Sequence, residues 1–220
     1  MLSTAELSIL QAHKEIVLFA ERVQKMFNMV KELFNEPREN DVEFVKQFSR
    51  IQKYEDICDS IEVEIATYLS KVADGRLSNE SKHELQMKMR IISEIESVAD
   101  SCYNLARTIQ RRNNLDAKFT AGINENIDLM FKLIDQALDQ MRVILESTVP
   151  QFADVTKTKN LESEINNFRN QLKTQNIIDV NEGKYLYGTS VVYMDLIAEC
   201  EKMGDYIVNV VEAEADTKLS

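Results

Sequence analysis

Turn-forming residues are scarce in this chain, with five glycines and two prolines serving 220 positions. A sandwich or barrel needs a turn about every ten residues, and glycine and proline are the residues that make such turns easy. A chain with so few of them is confined to long helices joined by few loops. The rest of the composition agrees: 44% hydrophobic and 29% charged residues, no tryptophan, and Leu, Ile, Met, Glu, Lys and Gln recurring throughout. Residues of this kind make amphipathic helices that bury one stripe in a bundle, so the expected class is all-α.

Apolar spacing places six such helices. Ser3 and Glu6 form a capping pair ahead of Ile9, Ala12, Ile16, Phe19, Val23, Met26, Val30 and Leu33, and Pro37 with the polar run to Asp41 closes that segment. A second seam runs Phe44, Phe48, Ile51, Glu55, Cys58, Glu62, Ile65, Leu69 and Val72 and stops near Asp74-Gly75. The third begins around Asn79, carries Leu85, Met89, Ile92, Glu96, Ala99, Tyr103 and Ala106, and precedes the polar run Gln110 to Asn114. A fourth, from about Thr120, holds Ile127, Met130, Ile134, Ala137, Met141 and Ile144 and ends at Pro150. The fifth spans Asp154 to Lys173, followed by a loop containing Asp179, Gly183 and Gly188. The sixth carries Met194, Ile197, Glu201, Gly204, Val208 and Val211 into a frayed polar tail from Glu212 onward.

The second three helices echo the first. A displacement of 105 positions lays Glu96, Asp100 and Asn104 on Glu201, Asp205 and Asn209, and Met89 and Ile92 on Met194 and Ile197. A displacement of 107 lays Glu55 on Glu162 and Ile65 on Leu172, but puts Asp59 on Asn166 and Glu62 on Arg169. Two tandem three-helix bundles are therefore expected, residues 1–115 and 116–220, related but not equivalent.

Several function classes drop out on charge and motif. A formal charge of −11 repels a phosphate backbone, which disfavours nucleic acid as a partner. No window approaches the ~18 apolar residues of a membrane span, and the N-terminus lacks an export signal. Cys58, Cys102 and Cys200 make no CxxC spacing and read as buried thiols in a reducing cytoplasm. No P-loop or GxSxG elbow is present. His13 and His83 do not fall at the Glu-xx-His spacing of di-iron bundles; His13 reads as a polar neighbour of the first seam and His83 as an exposed first-turn residue. Arg111 and Arg112 read as solvent-facing turn residues. Phe27, Met29, Phe34, Met130 and Phe131 exceed what one stripe needs and suggest an apolar surface for a partner or a second copy.

The chemically informative residues are acids where oily side chains belong. Glu55 and Glu62 interrupt the second stripe, and Glu96 interrupts the third at a matching place. A carboxylate there loses several kcal/mol of hydration unless a cation, a donor or a proton compensates it. No Lys or Arg lies on those stripes in the first half, so one reading supplies the charge with a bound metal ion, and the other hydrates the acids at an open seam or pairs them with bases from a neighbouring helix. The candidate ligands are Glu55, Asp59, Glu62, Glu96, Asp100, Glu162, Glu201 and Asp205. Oxygen donors suit Mg, Mn, Fe or Ca better than Zn, and with Asn166 and Arg169 in place of two acids, any site in the second half should bind more weakly.

Glu96-Ser97-Val98-Ala99-Asp100 with Asn104, and Glu201-Lys202-Met203-Gly204-Asp205 with Asn209, resemble the E/D-xxx-D signatures of PhoU domains, and Glu55-Asp56-Ile57-Cys58-Asp59 resembles the companion signature. The resemblance runs from about Thr4 to Ala213 as two three-helix units. It implies a non-enzymatic phosphate-uptake regulator, some relatives of which bind multinuclear metal clusters through these acids. The segments Thr4 to Ile16 and Ala20 to Phe27 further resemble the region following the membrane domain of bacterial sodium/phosphate cotransporters. That likeness implies the cytoplasmic C-terminal part of such a transporter, at the inner face of the cell membrane, with the transporter membrane domain as partner. A free-standing PhoU-like adaptor acting on a separate transporter or a sensor kinase is the alternative.

Overall fold

The computed structural model describes residues 4–37, 41–75, 77–147 and 152–219. Six helices hold nearly all of them: α1 (Thr4–Asn35), α2 (Asp41–Ala73), α3 (Asn79–Asn114), α4 (Ala121–Glu146), α5 (Phe152–Asn181) and α6 (Tyr187–Leu219). No strand occurs among the described residues, and the architecture is the expected all-α one. Two starts have clear local causes: Ser78 Oγ accepts the Ser81 N–H at 3.1 Å ahead of α3, and Thr120 Oγ1 accepts the Ile123 N–H at 3.2 Å ahead of α4. Gly183, at φ 71°, takes the left-handed conformation in the α5–α6 turn that a side chain would resist.

One face of α1 is wholly buried through Ile9, Ala12, Ile16, Phe19, Ala20, Val23, Met26 and Phe27. The same face recurs 118 positions on in α4 as Ile127, Met130, Ile134, Ala137, Leu138, Met141, Ile144 and Leu145. Each of these larger side chains contributes about 1.5–3 kcal/mol by leaving water. α1, α2 and α3 pack on one another, as do α4, α5 and α6, and the two sets join where α3 meets α6 and α1 meets α4. α1, α3, α6 and α4 thus close a ring of four helices, with α2 seated against α1 and α3, and α5 against α4 and α6. Across the antiparallel α3–α6 contact, Asn104 Nδ2 donates to Glu199 at 3.4 Å and Asn209 Nδ2 to Glu94 at 3.1 Å. These two bonds exchange under the 105-residue displacement, as an approximate two-fold axis through that contact requires.

Several sequence expectations change in the structure. α3 continues through the polar run to Asn114 because Arg112 is a core residue: its guanidinium stacks 4.8 Å from the Phe34 ring and 5.5 Å from Phe119, and donates to the Phe34 carbonyl at 3.2 Å. α5 runs past Lys173 to Asn181, so Asp179 is helical, and Gly188 lies inside α6. Its buried stripe, Thr158, Leu161, Ile165, Leu172 and Asn176, is narrow and partly polar, which is why apolar spacing lost it. The suggested apolar surface is interior: Phe27 and Phe34 each meet Phe131 edge to face at 5.5 Å, and Met29 and Met130 are buried beside them. Ser3, expected to cap α1, and Pro150, expected to end α4, lie outside the described residues; α4 itself reaches Glu146.

The expected frayed tail is the firmest surprise. α6 continues to Leu219, and Glu214 within it is fully buried, 2.7 Å from the equally buried Lys88 ammonium of α3. Lys88 also donates to His13 Nδ1 at 2.9 Å. An ammonium has only donors, so His13 carries its proton on Nε2, which donates a hydrogen bond to the Leu145 carbonyl at 2.8 Å. Four helices are tied at this point. Replacing Glu214 by Ala strands the Lys88 charge and should cost about 3–5 kcal/mol, whereas Lys88→Met with Glu214→Leu should recover most of that loss. Urea midpoints of the single and double variants check this, and equal losses in both would contradict it.

Candidate metal centre

Glu55, Asp59 and Glu62 lie four and three residues apart, hence on one face of α2, and Glu96 and Asp100 lie four apart on α3. The packing of α2 on α3 brings the two rows together. Carboxylate oxygens of Glu55, Asp59 and Asp100 all lie within 4.8 Å of one another, the one group of three potential metal-ligating side chains so placed among the described residues. Glu62 and Glu96 sit beside this group, half-buried. The acids flank the apolar seam rather than occupy its centre: Ile51, Cys58, Ile65 and Leu69 are the buried residues of α2 there, whereas Glu55 is half-buried and Asp59 and Asp100 are exposed.

No ion pair to Lys, Arg or His forms at any of these five acids among the described residues. The electrostatic result is mutual repulsion. Burial, then the charges of Asp59, Asp56 and Asp100, push the Glu55 carboxyl up, and burial with Asp59 and Asp100 does the same to Glu62. Glu96 is affected most, raised from 4.5 to about 7 by burial, by Asp100, Glu62 and Asp59, and by its hydrogen bond with Asp100. Asp100 is raised by burial and by Asp59 and Glu199, against the opposing effect of the Glu96 hydrogen bond. Cys58, buried between the acids, is pushed up to about 12, chiefly by burial, so its thiol offers no nucleophile. Crowded carboxylates with no internal counter-charge are a donor set that fits a hard, oxygen-preferring cation.

The second half places its counterparts differently. Glu162, Asn166 and Arg169 stand on α5 and Glu201 and Asp205 on α6, all half-buried except the exposed Asp205. Arg169 Nη2 lies 2.9 Å from Glu201 Oε1, and the Asn166 amide donates to Glu162. Asp205 is raised by burial and by Glu201 and Glu162, while Arg169 pulls it down. The eight acids singled out by sequence therefore fall into two clusters, one uncompensated and one carrying its own cation. Sequence reasoning missed Glu94 and Glu199, which flank the clusters across α3–α6, and the Lys88–Glu214 pair; a lysine between Leu85 and Ile92 on a buried face was the available signal for the latter.

Overlay on solved structures sets this geometry in a known architecture. The phosphate transport system regulatory protein PhoU from Streptococcus pneumoniae superposes with a TM-score of 0.81 at 13% identity, covering 97% of this chain and 96% of that one. The chain has the PhoU fold. PhoU from Pseudomonas aeruginosa gives a TM-score of 0.73 at 10% identity over 96% of this chain and 97% of that one. No protein-family model matches the sequence, and no curated protein matches it. On this PhoU fold the acid clusters lie where the outer helices meet the ring, α2 on α3 and α5 on α6.

The raised Glu96 has a consequence for stability without any cation. Between its ordinary 4.5 and about 7 the folded chain keeps a proton that the unfolded chain has lost. Its contribution is thus full at low pH and is lost as pH rises through about 7. In chelator, the melting temperature should fall with pH across that window, and Glu96→Gln should flatten the fall. Parallel profiles for the two proteins would contradict the assignment.

Proposed function

We propose that this protein is a non-enzymatic, PhoU-type regulator of phosphate transport that acts as a free-standing cytoplasmic adaptor on a membrane transporter or a sensor kinase. The observation that carries the proposal is the end-to-end match, 97% of this chain on 96% of a chain named as a phosphate transport system regulatory protein. In this reading residues 1–115 and 116–220 are the two repeats of the regulator. No described helix is long and apolar enough to cross a membrane, so contact with a transporter would go through surfaces rather than a span of these residues. Buried thiols whose ionisation is suppressed support the absence of nucleophilic chemistry.

Glu55, Asp59 and Asp100, with Glu62 and Glu96 beside them, would hold the cation, whether Mg, Mn, Ca, Fe or Zn, and it would supply the positive charge that no ion pair brings to this cluster. The chain's own contribution is to fix five acids on two packed helices and to keep basic side chains off them. Repulsion among the acids then makes this helix pair the part of the surface most sensitive to charge, and so the natural place for a signal to enter. A second reading, the C-terminal part of a sodium/phosphate cotransporter, draws on the α1 segments Thr4 to Ile16 and Ala20 to Phe27; hydrophobic spans encoded in frame upstream would favour it over the adaptor.

Two measurements test the proposal. Deleting the gene should change phosphate uptake, or expression of phosphate-responsive genes, at fixed external phosphate, and the wild-type copy should restore it; unchanged uptake and expression would overturn regulation. Asp59→Asn with Asp100→Asn should weaken Mn²⁺ binding tenfold or more, about 1.4 kcal/mol, while raising the melting temperature in chelator through lost repulsion. Undiminished Mn²⁺ affinity would remove the cation from the account.

A further inference from the structure

We propose that Arg169 is a built-in cation that holds the second acid cluster permanently in a partly neutralised state, so that the response to a bound metal ion is confined to the α2–α3 face. This rests on the reading of the first cluster as a cation site and concerns what the chain does at the second.

The two clusters act as each other's control. Under the displacements that relate the halves, Glu162 stands for Glu55, Ile165 for Cys58, Glu201 for Glu96 and Asp205 for Asp100. The helix pair is preserved, with Gly204 set so closely against Ile165 that a Cβ would lie 3.3 Å from its Cδ1, where the first half has Ala99 and Cys58. Two positions change chemical type: Asp59 becomes Asn166, and Glu62 becomes Arg169. Five acids with no facing base become three acids, one amide and one guanidinium, so a formal −5 becomes −2.

The contacts put those changes where a cation would act. Arg169 reaches from α5 to α6 and bonds Glu201, the counterpart of the acid that is most strongly raised in the first half. Its charge is also the influence that lowers Asp205, against the repulsion of Glu201 and Glu162. Asn166 donates to Glu162, satisfying that carboxylate from within α5. Arg169 Nε is shielded from solvent while the side chain as a whole keeps 32% of its exposure, so the guanidinium is part-sunk at the α5–α6 seam. A guanidinium at 2.9 Å occupies a carboxylate oxygen that a metal ion would need, and any incoming divalent ion would also meet a fixed like charge. A tethered charge cannot dissociate, so α5–α6 stays in one charge state while α2–α3 can exchange between two. The protein is then a one-sided sensor built on a two-fold scaffold.

The test uses the full chain and Mn²⁺ alone, with uptake measured by equilibrium dialysis and paramagnetic line broadening. Wild-type uptake should be weakened tenfold or more by Asp59→Asn with Asp100→Asn, and unaffected by Glu201→Gln with Asp205→Asn. Adding Asn166→Asp and Arg169→Glu should create uptake that survives loss of the first cluster and disappears with Glu201→Gln and Asp205→Asn. Should that double replacement fail to fold without metal, Arg169→Gln, which removes the tethered charge without adding an acid, carries the same comparison and should bind at the second cluster at least tenfold more tightly than wild type. Wild-type uptake that depends on Glu201 and Asp205 would overturn the role of Arg169, as would no gain at the second cluster in either variant. No wild-type uptake with a gain in the variants would uphold Arg169 and sink the first cluster as a cation site; no uptake in any protein would sink both.

Discussion

The antiparallel contact between α3 and α6 is the constraint from which the rest of the molecule follows. Ile91, Ile95, Val98, Cys102, Leu105 and Ile109 on α3, and Leu196, Cys200, Met203, Ile207 and Val210 on α6, are almost wholly removed from water. Removal of that much apolar surface fixes the two helices against each other more firmly than any surface ion pair could. Once they are fixed, α1 and α4 close the ring, and α2 and α5 can sit only on its outside. The outer helices then present acids at their edges with α3 and α6, where water still reaches.

Burial of charge is treated in two opposite ways in one fold. Lys88 and Glu214 are taken out of water together, with His13 accepting a second bond from the lysine, so the cost of desolvation is met by partners on α1, α3 and α6. The first acid cluster is left with carboxylates alone, and every one of its groups that shifts is raised, first by burial and then by its acidic neighbours. Among the described residues the fold supplies a counter-ion to Glu214 and to Glu201, and no ion pair to Glu55, Asp59 or Asp100.

Much of this was legible in the sequence because helical periodicity and turn scarcity are local signals. The six helices, the all-α class, the buried cysteines and the row of acids on α2 all follow from spacing. What spacing could not reach was tertiary. Arg112 is buried because two phenylalanines from separate segments flank its guanidinium, and Glu214 is buried because a lysine 126 positions earlier meets it; both had looked like solvent-facing polar residues at helix ends. The narrow stripe of α5 failed for the complementary reason, since Thr158 and Asn176 are polar residues serving as core through their own hydrogen bonds. For the acids, the sequence placed them on the right helices, but which of them converge depended on how α2 lies against α3.

Anomalous diffraction from crystals grown with Mn²⁺ addresses the central claim most directly, because it locates the ion instead of counting it. The account predicts density between Glu55, Asp59 and Asp100 and none beside Arg169 and Glu201. Density at both clusters, or none at the first, would contradict it.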